Sequence, residues 1–169
     1  MKTLVLPIAV VVMIGVIGAA FALDCIRLAA DARGRVGLAD DEMYKHELRL
    51  VTVLSGSARV SPEVQTAITK HQQAKSPRAR HEAYEQLVAR FRQTMSEAVD
   101  PTNPLDRKFM DDIAGAINRR EVAQKQYDEE FAAYKHYDDS LRGAVARRFY
   151  SEPGPDWQPG NLPPADPER

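Results

Sequence analysis

The chain has 169 residues, a net charge of −1 from 23 Lys+Arg against 24 Asp+Glu, and a single cysteine. Balanced charge gives no electrostatic basis for nucleic acid or any other strongly charged partner. One thiol excludes an internal disulfide framework and a cysteine-based zinc site, and the length allows one domain.

The first element is the uncharged run from Leu4 to Leu23, bounded by Lys2 and Asp24. About 20 apolar residues match the roughly 30 Å hydrocarbon thickness of a bilayer. Ala20-Phe21-Ala22 has the small-x-small form of a signal-peptide cleavage site, but the run exceeds the 7–15 apolar residues usual for such peptides. We read residues 1–23 as a retained transmembrane anchor and the chain as a single-pass membrane protein. Arg27, Arg33 and Arg35 follow the span closely, which leans slightly toward a cytoplasmic body. Cys25, just past the anchor, reads as an incidental helix residue.

Residues 24–39 form a juxtamembrane segment, where Gly34 and Gly37 weaken a helix and read as a hinge. Asp40, Asp41 and Glu42 suit the N-terminus of a new helix, with Tyr44, Leu48, Val51, Leu54 and Ala58 as its apolar stripe. Ser61-Pro62 restarts or kinks that helix, which continues to about Ala74, and Ser76-Pro77 starts a second helix to about Val99. Asp100 to Pro104 breaks it. Asn103 then caps a third helix, with Pro104 at its first position, expected to run unbroken to Phe149. At 1.5 Å per residue that helix would span roughly 69 Å. The body, 40–150, is therefore expected to be an all-α antiparallel bundle of long helices. The tail, 151–169, is expected to be disordered because six of its residues are proline.

Candidate chemistry is sparse. His81-Glu82-x-x-Glu85 lacks the second histidine of a helical zinc motif and reads as a solvated helix flank. His46, His71 and His136 share no ligand spacing with it. No nucleophile elbow or phosphate-binding glycine loop is present, so no catalytic, cofactor or metal residues are expected. Arg120 and Gln124 interrupt the apolar stripe of the third helix. They become a polar site only if a carboxylate such as Glu85 or Glu97 meets Arg120 in the interior; otherwise Arg120 snorkels from the core edge. Tyr127 and Tyr134 lie seven residues apart, as in a coiled coil. The simplest packing puts Phe131 fully inside and both tyrosines at the core border. Tyr127, Tyr134 and Trp157 are the candidate partner-binding residues.

The stretch from Asn118 to Tyr134 resembles the LemA family of membrane-anchored bacterial helical proteins, whose Glu-Asn … Ala-x-Arg-x-x-Tyr-Asn-x-x-Val-x-x-Tyr-Asn segment it follows at Asn118, Ala123, Tyr127 and Tyr134. Lys125, Asp128 and Phe131 replace the arginine, first asparagine and valine. Leu50-Val51 with Gly56 is similar to that family's Leu-Val … Lys-Gly-Tyr segment, and Pro104-Leu105 to its Tyr-Pro-x-Leu. Ile117 stands where the family has an acid, so the chain looks like a divergent member. The resemblance implies fold and place, not a reaction, because that family has no established biochemical activity.

Two functions follow. The first is a non-enzymatic scaffold of the bacterial envelope, tethered through residues 4–23 and presenting its bundle to an unidentified protein partner. The alternative is a ligand-sensing or enzymatic bundle with a polar site near Arg120 and Gln124.

Overall fold

The computed structural model describes residues 2–57, 60–95 and 102–150. Its elements are α1 (Lys2–Ser55), α2 (Pro62–Gln73), α3 (Pro77–Met95), α4 (Pro104–Asp138) and α5 (Leu141–Phe149), with no strand among the described residues. The tail and Trp157 lie outside the described residues.

α1 is one helix of 54 residues, about 81 Å long. It alone among the described helices is long and apolar enough to cross a membrane. From Val10 to Leu23 its apolar side chains point outward: Val11, Ile14, Val16, Ile17 and Leu23 are all more than half exposed. From Cys25 onward the same helix buries a residue every turn, at Cys25, Ala29, Ala32, Val36, Ala39, Met43, Glu47, Leu50 and Leu54. The helix thus passes from outward-facing to buried apolar side chains along its length without changing conformation.

The hinge expected at Gly34 and Gly37 is not there. Helix runs through both glycines, which sit on its exposed side with nothing near their Cα hydrogens. Two helical glycines cost about 1 kcal/mol each. Val36, Ala39 and Met43, buried against Ala123 and Tyr127 of α4, outweigh that cost, since burying even one such side chain contributes about 1.5–3 kcal/mol. For the same reason Asp40 to Glu42 lie inside a helix rather than at its start.

α4 runs antiparallel to α1, with Arg35 paired to Glu130 and Glu47 to Arg120. Three apolar clusters lie along this pair. Farthest from the apolar end, α1, the α2–α3 hairpin and the start of α4 enclose Leu50, Leu54, Ile68, Leu87, Phe91 and Ile113. In the middle the apolar cluster is made by α1 and α4 alone. Nearest the apolar end, Ala146 and Val145 of α5 and Tyr137 of α4 cover Cys25 and Ala29. The molecule is a four-helix head on a two-helix stalk.

Local capping sets the joints. Ser61 accepts the Val64 N–H, Ser76 that of Ala79, Asn103 that of Leu105 and Ser140 that of Gly143. These satisfy amide donors that a helix start leaves open. Ser61-Pro62 makes a full break after Ser55, so the first body helix is two elements. The third helix also breaks, at Asp139–Ser140. Continued straight at the α1–α4 register, residues 141–149 would lie beside the outward-facing apolar stretch of α1. The chain instead folds back and packs α5 on Cys25 and Ala29.

Candidate functional site

The site lies where stalk meets head and is built from all four long elements. Glu47 of α1 is fully buried, as is His81 of α3, while His71 of α2 and Arg120 of α4 are 2% and 6% exposed. His71 Nε2 donates to Glu47 Oε2 at 3.1 Å, and His81 Nδ1 to Glu47 Oε1 at 2.8 Å. His81 Nε2 donates at 2.8 Å to Asp40 Oδ1, and Arg80 donates at 2.7 Å to Asp40 Oδ2. Arg120 reaches Glu47 Oε1 through Nε at 3.4 Å and Glu85 Oε1 through Nη1 at 3.2 Å. Tyrosine rings close the cluster: Arg120 stacks over Tyr84 at 4.7 Å and Arg80 over Tyr44 at 4.2 Å.

An ionised carboxylate only accepts, so a histidine bonded to carboxylates through both nitrogens must donate from both. His81 is therefore an imidazolium, held between Asp40 and Glu47. Burial alone would lower its pKa, but those two carboxylates outweigh burial and raise it. Burial would likewise raise the Glu47 carboxyl. Hydrogen bonds from His71 and His81, with the charges of His81 and Arg120, reverse this and hold it at about 2. Burial pushes the Tyr84 hydroxyl up, and among the described residues neither that oxygen nor His71 Nδ1 has a hydrogen-bond partner.

The cluster is a locked charge network. Every ionised member has an opposite charge in reach, which interior placement demands. The side chains of Glu47, His71 and His81 have no solvent exposure, whereas the outer members Asp40 and Arg80 are 15% and 17% exposed and Glu85 50%. Among the described residues no group of three or more His, Cys, Asp or Glu is arranged to hold a metal ion.

Several expectations change. His81 is not on a solvated flank: with Tyr84, Val88 and Phe91 it lines the inner face of α3. His71 and His81, unrelated by spacing, meet on one carboxylate. Arg120 does meet Glu85, but its buried partner is Glu47. Gln124 takes no part and bonds to Asp128 on its own helix. Tyr127 is buried (2% exposed) beside His81 and Phe131, whereas Phe131 and Tyr134 are half-buried. The expected order of Phe131 inside and Tyr127 at the border is thus inverted, because the α4 face turned to α1 follows Arg120, Ala123 and Tyr127. Of the candidate partner-binding residues, Tyr127 is buried and Tyr134, packed on Phe131, is partly exposed.

One signal for the network was present. The buried stripe of α1 runs Val36, Ala39, Met43, Glu47, Leu50, Val51 and Leu54: it keeps the expected Val51 and Leu54, but Met43 and Glu47 take the inner places expected of Tyr44 and Leu48, and Leu48 is exposed. Glu47, His71, His81 and Arg120 each occupy a buried slot three or four residues from apolar neighbours. A charged residue in such a slot is the mark of an interior pair. Compared with models of protein families, with curated proteins and with solved structures, the chain matches none.

Proposed function

We propose that this chain is a membrane-tethered, non-enzymatic scaffold of the LemA type, whose head is held at a fixed distance from the bilayer by a rigid stalk. The observation that carries this reading is the continuity of α1, outward-facing and apolar over Val10–Leu23 and buried against α4 and α5 from Cys25 to Leu54. A flexible tether would let the head wander. A helix stiffened by α4 sets the head about 36 Å from the end of the span at Glu47. The network supports a structural role, since it joins α1, α2, α3 and α4 around one carboxylate that has no solvent exposure. The protein partner is unidentified.

Capture from detergent-solubilised membranes tests this reading. A partner should be retained by the full chain and lost when Tyr134 of the stalk and the exposed residues beside it are changed, while the chain resists carbonate extraction. Release by carbonate, or recovery of a soluble form starting at Leu23, would overturn it. The second reading, a responsive site, is favoured by the uncommitted His71 Nδ1 and Tyr84 hydroxyl. It would show as a small molecule that raises the melting temperature of the parent but not of His71→Gln.

A further inference from the structure

The break between α4 and α5 falls at a particular height. Tyr137, in the last turn of α4, donates its hydroxyl to the backbone oxygen of Cys25 at 2.5 Å. Ala146 packs on Cys25 and Ala29, and Arg33 lies over the Tyr150 ring at 5.0 Å. α5 therefore runs alongside α1 in the same direction. Ala146 sits level with roughly residue 27, and Leu141, five residues earlier, about 7.5 Å lower. That is the level of Leu23 and Asp24, where the uncharged run of α1 ends.

Leu141 is 78% exposed, the most exposed large apolar residue among those described. An isolated exposed leucine is ordinary on a soluble surface. Here it forms the tip of a tight turn at the level where a bilayer would begin. The turn is closely built. A Cβ on Gly143 would run into the backbone oxygens of Tyr137 and Asp138, so only glycine lets α5 double back there. Arg147 bonds the Asp138 side chain at 2.7 Å, leaving Arg27, Arg142, Arg148 and the acids Asp24 and Asp139 exposed around the tip. These mixed charges suit a headgroup layer without selecting its sign.

We infer that the α4–α5 turn is a second membrane contact, with Leu141 inserted at the headgroup–acyl boundary of a phospholipid bilayer and Tyr137 and Arg142 level with the headgroups. This rests on the anchored reading above. Aromatic and basic side chains favour that layer, and an apolar side chain at an interfacial element enters roughly 5–10 Å. Contact at the tip fixes the stalk against tilt, which one spanning helix cannot do alone.

The test uses the full chain, with Trp157→Phe, in vesicles of phosphatidylcholine and phosphatidylglycerol brominated either near the headgroup or deep in the acyl chain. Single tryptophans are placed at Val16, Leu141 and Val122, all exposed side chains. Val16→Trp should be quenched most by deep bromines, Leu141→Trp at least halved in emission by shallow ones, and Val122→Trp left unchanged. If Val16→Trp is quenched while Leu141→Trp behaves like Val122→Trp, the turn does not touch the bilayer and only this inference falls. If Val16→Trp is not quenched, the anchored reading falls as well. Slow maleimide labelling of Cys25 in Leu141→Trp, as in the parent, verifies that α5 is still docked.

Discussion

Glu47→Gln is the sharpest perturbation of the head. The substitution keeps the shape of the side chain and removes its charge. In the parent, that carboxylate is fully buried and receives hydrogen bonds from His81 at 2.8 Å, His71 at 3.1 Å and Arg120 at 3.4 Å. Without it His81 retains Asp40, but Arg120 keeps the Tyr84 ring and, as its carboxylate among the described residues, Glu85, whose side chain is 50% exposed. Removing one partner of a buried charge set costs about 3–5 kcal/mol. For a chain of this size each kcal/mol moves the melting temperature by about 2–4 °C. The variant should therefore melt about 10 °C below the parent when both are followed by circular dichroism in the same detergent micelles. Glu121→Gln, exposed on α4, is the control and should stay within about 0.5 kcal/mol. A double variant with His81→Gln should fall less than the sum of the singles, with a coupling of about 0.5–3 kcal/mol. A Glu47→Gln chain melting with the parent would refute the claim that this carboxylate holds the head together.

The same network fixes a pH dependence. Glu47, lowered from 4.5 to about 2, contributes stability that is complete above pH 4.5 and lost as pH falls toward 2. His81, raised from 6.5, contributes stability that is complete below pH 6.5 and lost as pH climbs through its folded value. Stability from these two groups therefore peaks between those limits, and melting curves from pH 3 to 9 should flatten on the acid side in Glu47→Gln. Gly34→Ala and Gly37→Ala, with nothing near the new methyl, should each stabilise by about 0.5–1 kcal/mol in denaturant unfolding; a hinge at either glycine would give no gain. Gly143→Ala should unseat α5 and speed maleimide reaction at Cys25, buried beneath it, whereas unchanged labelling would show that the turn tolerates a side chain. Tyr127→Ala should cost about 3–5 kcal/mol and Phe131→Ala distinctly less by thermal melting, the reverse order contradicting the packing described here.

The helix starts at Pro62, Pro77 and Pro104 were legible because each carries its own cap within three residues. Long-range contacts decided the rest. Glycine lowers helix propensity locally, but whether α1 breaks at Gly34 depends on Val36 and Met43 meeting Ala123 and Tyr127, far off in sequence. The network was harder still, because Glu47 is 24 residues from His71, 34 from His81 and 73 from Arg120. Neither metal-motif spacing nor charge patterning sees such pairs. Arg120 was visible as a polar gap in an apolar stripe. Glu47 was not, since giving the inner places of that turn to Tyr44 and Leu48 moved it to the surface. The split between α4 and α5 had no proline to announce it, only Ser140 as a cap and Gly143 as a small residue.

The proposed tether requires one unbroken helix from the apolar stretch of α1 to the head. Spin labels at Ile17 and Leu38, both exposed, in a Cys25→Ala background and in vesicles, measure it by electron–electron dipolar spectroscopy. A continuous helix predicts one narrow distance distribution near 32 Å between backbones, from 21 residues at 1.5 Å each. A broad distribution, or a shorter mean distance, would show that α1 bends between membrane and head.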